Sequence, residues 1–432
     1  MGRVWTVHLT ILEGDLCLKQ SLLMPPQLRI HSKARMEAKD PPSPPSVEEL
    51  ATEGTWAKDN IAPTKTNTAR VLLGTLALLI TPPIAVITLL YTITKLEGSG
   101  TKLYNEFATK GPLTAFYEMH PSVSEMASAM LWVFGFMAVQ VVFMPLIPGK
   151  MYQGPVAPSG HRPIYKANGL LTFVVTVFCW ALGAWMGFFP AGIFFKIALP
   201  MAGGLNLFSI LFCVVLYIKG RVAPSTPDNG VTGLLIFDYF WGTELYPRVG
   251  HWLWPIGWDV KQFTNCRWGM MMWGVATLSF AAYQYETHPG GLTNGMIVSV
   301  LVQEIYVLKF FHWEMGYVNT MDIQHDRAGF YICWGCLVFV PTFYTAHTLT
   351  LAANPVELSL VPTLVLLFTG LASVWINFDC DDQKLRFRAS GGKLKIWGRD
   401  AEMIKATYTT ESGEVKQSLL LLSGWWGIRY GP

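Results

Sequence analysis

Charge is what this 432-residue chain has least of. Asp, Glu, Lys and Arg make up 14% of it, against about 25% in ordinary soluble domains, and 51% of its residues are hydrophobic. A net charge of +3 is too small for a nucleic-acid surface, and no basic strip with interleaved base-stacking residues occurs. Cysteine is sparse as well. Its seven residues are an odd number, and no disulfide framework is indicated. No second Cys or His pair completes a zinc pattern around Cys333-Trp-Gly-Cys336, so no metal site is expected. Cys179, Cys213, Cys333 and Cys336 lie in apolar runs, where they read as small buried side chains. No glycine-rich phosphate loop follows a strand, which argues against a Rossmann or P-loop site.

What is present is apolar length and aromatic rings. The 17 Trp, 25 Phe and 16 Tyr suit helices with rings at both membrane interfaces. The fold class expected is an all-α polytopic membrane protein with about eight transmembrane helices, each near the roughly 20 residues that a bilayer needs. They are placed at Val71–Thr94, Ala127–Leu146, Gly169–Phe189, Gly192–Ile218, Met270–Tyr285, Met296–Phe311, Phe330–Thr350 and Val356–Phe378. Loops 147–168, 219–269 and 312–328 carry Lys or Arg, whereas those near 190, 286–295 and 351–355 carry none. Both termini and the charged loops are therefore expected in the cytosol, although Lys95, Lys102 and Lys110 in the first loop break the pattern.

Residues 1–68 read as a disordered extension and linker. Glu13, Asp15 and Lys19 interrupt the apolar runs of Met1–Leu28, which is neither a signal peptide nor a span. Pro41-Pro42-Ser-Pro44-Pro45 is an extended linker, and Met36 is the expected native start. Residues 69–432 form the membrane domain.

Three constellations carry candidate chemistry. The first, Gly233-Leu-Leu-Ile-Phe237-Asp238-Tyr-Phe-Trp-Gly242-Thr-Glu244-Leu-Tyr246-Pro247-Arg248, brings Asp238, Glu244 and Arg248 close enough to pair, either as a site or as a structural ion-paired loop. The second is the end of an apolar helix with the charged stretch after it, from Gln303 through His312, Glu314, Asp322, His325 and Asp326 to Gly329. Ionisable groups between membrane helices are costly and usually mark a site of work. Tyr306 and Lys309 share a face there; a phenol beside a lysine is a plausible proton donor, because the cation stabilises the phenolate, and equally a packing or interfacial residue. The third is Lys384 and Arg388, one helical turn apart, with Arg386 between and Gly391-Gly392 after. Such cations suit phosphate oxygens or simply decorate the cytosolic end of a span.

These blocks together resemble the sterol reductase family of the endoplasmic reticulum. The first constellation matches a family signature from Gly233 to Arg248. Thr320-Met-Asp322 and His325-Asp326-Arg327-Ala-Gly329-Phe-Tyr331 resemble its Δ7 branch, plant-type members above all, as does Trp334-Gly335-Cys336. Gly160-His-Arg162-Pro163-Ile-Tyr165-Lys-Ala-Asn168-Gly169 fits too, and the resemblance runs from about Glu48 to Gly427.

The resemblance implies saturation of a sterol carbon–carbon double bond by a proton and a hydride, with NADPH as hydride source, sterol entering from the bilayer and other sterol-biosynthesis enzymes as possible associates. It puts Lys384, Arg388, Leu421 and Trp426 on NADPH-contacting positions and Tyr306 on a proposed proton-donor position. Glu244, Arg248, His312, Glu314, Asp322, His325 and Asp326 would shape the pocket. The family pattern continues beyond Gly427 into further helices and a second signature, whereas here Ile428-Arg-Tyr-Gly-Pro432 ends the chain; a C-terminally incomplete domain is expected. The resulting first reading is reduction of the sterol C7–C8 bond. The alternatives are a Δ14-sterol reductase and a non-catalytic sterol-binding protein.

Overall fold

A computed structural model describes residues 68–157, 159–409 and 415–427. The expected extension before Thr68, with its linker and its start at Met36, lies outside the described residues. So do the turn Glu411–Gly413 and the last five residues. The chain forms two compact units, one of Ala62–Val374 and one containing Trp375 onward.

Each expected span overlaps a helix: α1 (Thr68–Lys95), α4 (Val123–Leu146), α5 (Gly169–Trp185), α6 (Ala198–Val222), α8 (Met270–Thr287), α9 (Asn294–His312), α10 (Phe330–Ala353) and α11 (Leu360–Ala389). Between them lie α2 (Gly100–Lys110), α3 (Pro112–Met119) and α7 (Leu235–Trp241). Among the described residues, six of these helices are long and apolar enough to cross a membrane, and α5 is apolar but shorter. Helix α8 falls outside that group because Thr277, Ser279, Gln284, Glu286 and Thr287 make its 18 residues less apolar; the first three of these are buried in the bundle. Helix α11 runs past the expected end at Phe378, so Asp379 to Arg388 continue the same helix.

The local reasons are visible in the chain. Ser122 caps α4 and Glu125 returns to the Ser122 N–H, a reciprocal pair that satisfies two orphan donors. Gly203 and Gly204 let α6 approach α4 closely: a Cβ on them would stand 2.9 and 2.6 Å from the Met126 and Met130 side chains, the small-residue contact that membrane helices favour. Leu73, Leu131, Phe178, Leu211 and Phe368 point outward, exposed; in lipid this outer surface is solvated rather than orphaned.

Two short wide turns, Phe263–Gly269 before α8 and Gly335–Phe339 within α10, have i to i+5 bonds. They meet where a Cβ on Gly269 would stand 2.8 Å from the Cys336 carbonyl. Such turns are rare and recur at functional sites. Cys333 and Cys336 are buried, and no cluster able to hold a metal occurs among the described residues.

Four two-stranded antiparallel sheets among the described residues supplement the helices. In the first unit, β1 (Lys150–Gln153) pairs with β2 (Ile164–Ala167), and β3 (Arg248–Val249) with β4 (Trp258–Asp259). In the second, β5 (Lys395–Ile396) pairs with β6 (Arg399–Asp400), and β7 (Met403–Thr409) with β8 (Val415–Leu421), in register from Met403↔Leu421 to Thr409↔Val415. The β5–β6 turn is Trp397-Gly398, both at positive φ, as a two-residue hairpin of this twist requires. Phe387, Ile396 and Leu421 form this unit's small core, with Met403, Leu419 and Trp426 packed on it.

Candidate active site

The charged stretch after α9 is anchored by a buried ion pair. Glu314, at the start of a short helix Glu314–Val318, pairs with Arg267 in the wide turn before α8, their side chains 3% and 0% exposed. The other Arg267 nitrogen donates to Asn168 Oδ1 at 2.8 Å. The second Glu314 oxygen accepts from the Gly169 N–H at 2.8 Å, one of the four amides that begin α5 without a partner. Asn168 in turn donates to the carbonyls of Met144 and Ile147 at 3.1 and 2.9 Å, satisfying the end of α4. One network thus ties the end of α4, the start of α5, the short helix after α9 and the turn before α8. A Cβ on Gly169 would run into the Glu314 carboxylate.

Asp238, Glu244 and Arg248 do not pair with one another, contrary to the expectation. Asp238 closes its own turn, accepting from the Thr232 N–H and hydroxyl at 2.8 and 2.7 Å and from Gly233 N at 3.2 Å. Glu244 pairs with Lys219 at 2.8 Å and accepts from Ser225 N. Arg248 lies 3.6 Å from Asp259, donates to the carbonyls of Ile164 and Ile256 at 2.6 and 2.8 Å, and covers the Tyr165 ring. The cause is Gly242, at φ 98°, which turns the chain so that each group faces a different element. A Cβ there would stand 2.5 Å from the Gly329 amide, and only glycine combines that approach with that φ. Burial raises the Tyr246 and Tyr165 phenols above their ordinary value, so both stay neutral packing groups.

Tyr306 sits on α9 beside the face formed by Gln303, Val307 and Phe311, which are buried one turn apart. Its ring packs 5.3 Å from Trp273, which packs 5.0 Å from Tyr344. The Lys309 ammonium lies 5.8 Å from the Tyr306 ring and 6.0 Å from that of Trp313, as their spacing anticipates. Around them runs a polar belt. The Trp273 indole donates to Gln303 at 2.8 Å, Gln303 donates to the Ser299 carbonyl at 3.0 Å and to the Thr348 hydroxyl, and Thr277 donates to Glu304 at 2.5 Å. His312 is exposed at the end of α9, Asp322 and His325 are half-buried, and Asp326 is buried. An open depression of about 720 Å³ lined by Trp180, Trp185, Phe188, Phe189 and Glu286 lies at the other end of α5 from Gly169 and contains none of these groups.

In the second unit the Lys384 ammonium lies 4.6 Å above the Trp426 ring, and the Trp426 indole donates to the Cys380 carbonyl at 2.8 Å. The Trp425 indole donates to Asp379 at 2.7 Å. Leu421 is buried beside Phe387, and Arg388 is exposed one turn beyond Lys384. Leu421 and Trp426 thus pack in the small core around Phe387, with Lys384 over the Trp426 ring.

The sequence profile of the ergosterol biosynthesis ERG4/ERG24 family matches residues 73–430. This chain belongs to that family of sterol reductases. It is 44% identical over 353 residues to 7-dehydrocholesterol reductase of Arabidopsis thaliana, covering 82% of this chain and 80% of the relative. It is 35% identical over 288 residues to 7-dehydrocholesterol reductase of Xenopus laevis, with 66% and 60% covered. A Delta(14)-sterol reductase of Methylotuvimicrobium alcaliphilum is 34% identical over 297 residues, with 69% and 64% covered. The chain thus spans less than two thirds of the length of the last two relatives.

As a sterol reductase, an oxidoreductase of sterol biosynthesis embedded in a membrane, the protein carries two buried polar clusters here, one around Arg267 and Glu314 and one around Gln303 and Thr348. Sequence reasoning singled out Glu314, Tyr306 and Lys309 but passed over Arg267, Lys261 and Asn168 as a partner of Arg267. The available signal was the string Asp259-Val-Lys261-Gln-Phe-Thr-Asn-Cys-Arg267, two cations immediately before a buried helix.

Proposed function

We propose that this sterol reductase saturates the C7–C8 double bond of Δ5,7-sterols in the endoplasmic reticulum membrane, with NADPH as hydride source and the charged loops on the cytosolic side. The observation that supports this most is the 44% identity over 82% of the chain to a plant 7-dehydrocholesterol reductase. Tyr306 supplies the proton: its ring is held against Trp273, and the Lys309 cation over it stabilises the phenolate left behind.

The second unit's residues fit the cofactor by the chemistry of their donors, since Lys384 and Arg388 present cations one turn apart, suited to phosphate. Trp426 and Leu421 supply apolar contact beside them. Lys384 and Arg388 would hold the phosphates of NADPH, and the bound cofactor would supply the hydride. Reversal of charge by Lys384→Glu or Arg388→Glu should raise the apparent NADPH KM by about tenfold or more, the value of one lost charge-assisted contact turned repulsive. Unchanged NADPH kinetics in both variants would remove this assignment.

A Δ14-reductase reading is favoured by the 34% identical Delta(14)-sterol reductase. Membranes carrying the protein, given NADPH and either a Δ5,7-sterol or a Δ8,14-sterol, separate the two. The expected result is loss of the Δ5,7 diene with the Δ8,14 diene untouched. The reverse selectivity would establish the Δ14 reading, and loss of neither would favour a sterol-binding protein without catalysis.

A further inference from the structure

Lys261 is fully buried, and its ammonium donates to the carbonyls of Asp322, Ile323 and Asp326, each at 2.8 Å. An ammonium has three donors, so these bonds use all of them. The first two carbonyls belong to the short helix Met321–Gln324 and the third follows it; at the end of a helix such groups have no intrahelical partner. The Met321 carbonyl is already taken by the amides of His325 and Asp326. The Tyr246 ring lies 5.4 Å from the ammonium on another side. Farther along, Ala328 donates to the Glu244 carbonyl at 3.0 Å and Gly329 abuts Gly242. Lys261 therefore links the Asp322–Asp326 turn to the element carrying Glu244, Tyr246 and Arg248.

We infer that Lys261 is a positioning residue for sterol reduction: its three hydrogen bonds fix the Asp322–Asp326 turn, and with it the Asp322 and His325 side chains, in the arrangement the substrate meets. This inference rests on the reductase reading. An apolar side chain of similar volume would fill this space without the desolvation cost of an ammonium; what the lysine supplies in addition is three donors for the carbonyls at the end of the turn.

The cage has a pH signature. The groups facing Lys261 are Asp259 beside it, Asp322 and Asp326 on the turn, Cys333 on α10 and the Tyr246 ring. Burial outweighs the attraction of the carboxylates and brings the amine down to about 8. Above that pH the neutral amine keeps two donors, and one carbonyl of the turn loses its partner. The folded-state pKa lies below the unfolded one, so the native state releases this proton first, and between the two values the linkage makes the fold more stable with rising pH, not less. Loss of one donor to the turn's carbonyls should lower turnover and loosen the turn through pH 8 in local openings that leave Lys261 buried, while the same titration does not lower Tm.

The test compares wild type, Lys261→Arg and Lys261→Met between pH 7 and 9.5, measuring sterol KM, kcat and Tm. Wild type should lose about fivefold in kcat/KM above pH 8, the equivalent of one ordinary hydrogen bond. Lys261→Arg, charged throughout, should show no such limb, and Lys261→Met should be impaired at every pH. An alkaline limb in Lys261→Arg identical to that of wild type would overturn the inference. Hydrogen exchange of the wild-type chain provides a second readout where a variant does not fold or no turnover is seen. After correction for intrinsic exchange, amides 322–329 should lose about fivefold in protection between pH 7 and 9. Unchanged protection there would overturn the positioning role, whereas lost protection in a chain without turnover would overturn the reductase reading alone.

Discussion

Arg267→Ala should leave almost no folded protein. Removing one partner of a buried ion pair costs about 3–5 kcal/mol, because the other charge stays buried without compensation, and total stabilities are about 5–15 kcal/mol. Here the loss extends further than the pair. Glu314 would remain at 3% exposure with only the Gly169 amide and Gln262 as donors, and Asn168, which satisfies the end of α4, would lose its guanidinium partner. Size-exclusion chromatography in detergent and Tm on the residual monodisperse fraction measure the effect. Replacing both ions, Arg267→Met with Glu314→Leu, should recover part of the loss, since apolar side chains of similar volume carry no desolvation penalty. A Tm for Arg267→Ala equal to that of wild type would show that the network contributes little.

Tyr306→Phe should retain the fold and lose turnover. Only the hydroxyl is removed, and the ring still packs on Trp273 at 5.3 Å, so sterol KM should hardly change. A positioned general acid is worth about 10²–10⁴-fold, and kcat should fall within that range. Lys309→Met should lower kcat in the same direction by less, because it removes the cation over the ring but not the proton. A deuterium solvent isotope effect on kcat that disappears in Tyr306→Phe would tie the loss to proton transfer. Turnover equal to wild type would exclude Tyr306 from the reaction.

The fold was legible because membrane spans are written in long apolar windows. The helices α1, α4 and α9 fall within a few residues of the segments read from hydropathy, whereas the expected span Gly192–Ile218 is broken at Ile197 into the short helix Ile193–Lys196 and α6. What hydropathy could not show was the end of α11, where Asp379 to Arg388 continue the helix by pairing along it, as Arg386 does with Asp382 at 3.3 Å. The candidate site was legible where neighbours in sequence are neighbours in space. Tyr306 and Lys309 are three residues apart on one helix, and their contact follows.

The first signature misled for the opposite reason. Asp238, Glu244 and Arg248 are close in sequence, yet the partners that satisfy them, Thr232, Lys219 and Asp259, are set by Gly242 and by packing against other elements. Arg267 and Glu314 lie 47 residues apart, and no local pattern announces such a pair. A lone buried cation in the sequence, Lys261 or Arg267, signals only that a partner must exist.

The measurement that tests the central claim most directly is a sterol profile in yeast cells that accumulate Δ5,7-sterols, with this chain expressed beside the plant relative as a positive control. The expected result is that the ring-B diene disappears and the corresponding Δ5-sterol takes its place, with Tyr306→Phe leaving the diene intact. An unchanged Δ5,7-sterol profile in cells where the chain is folded and membrane-inserted would contradict the assignment of Δ7 reduction.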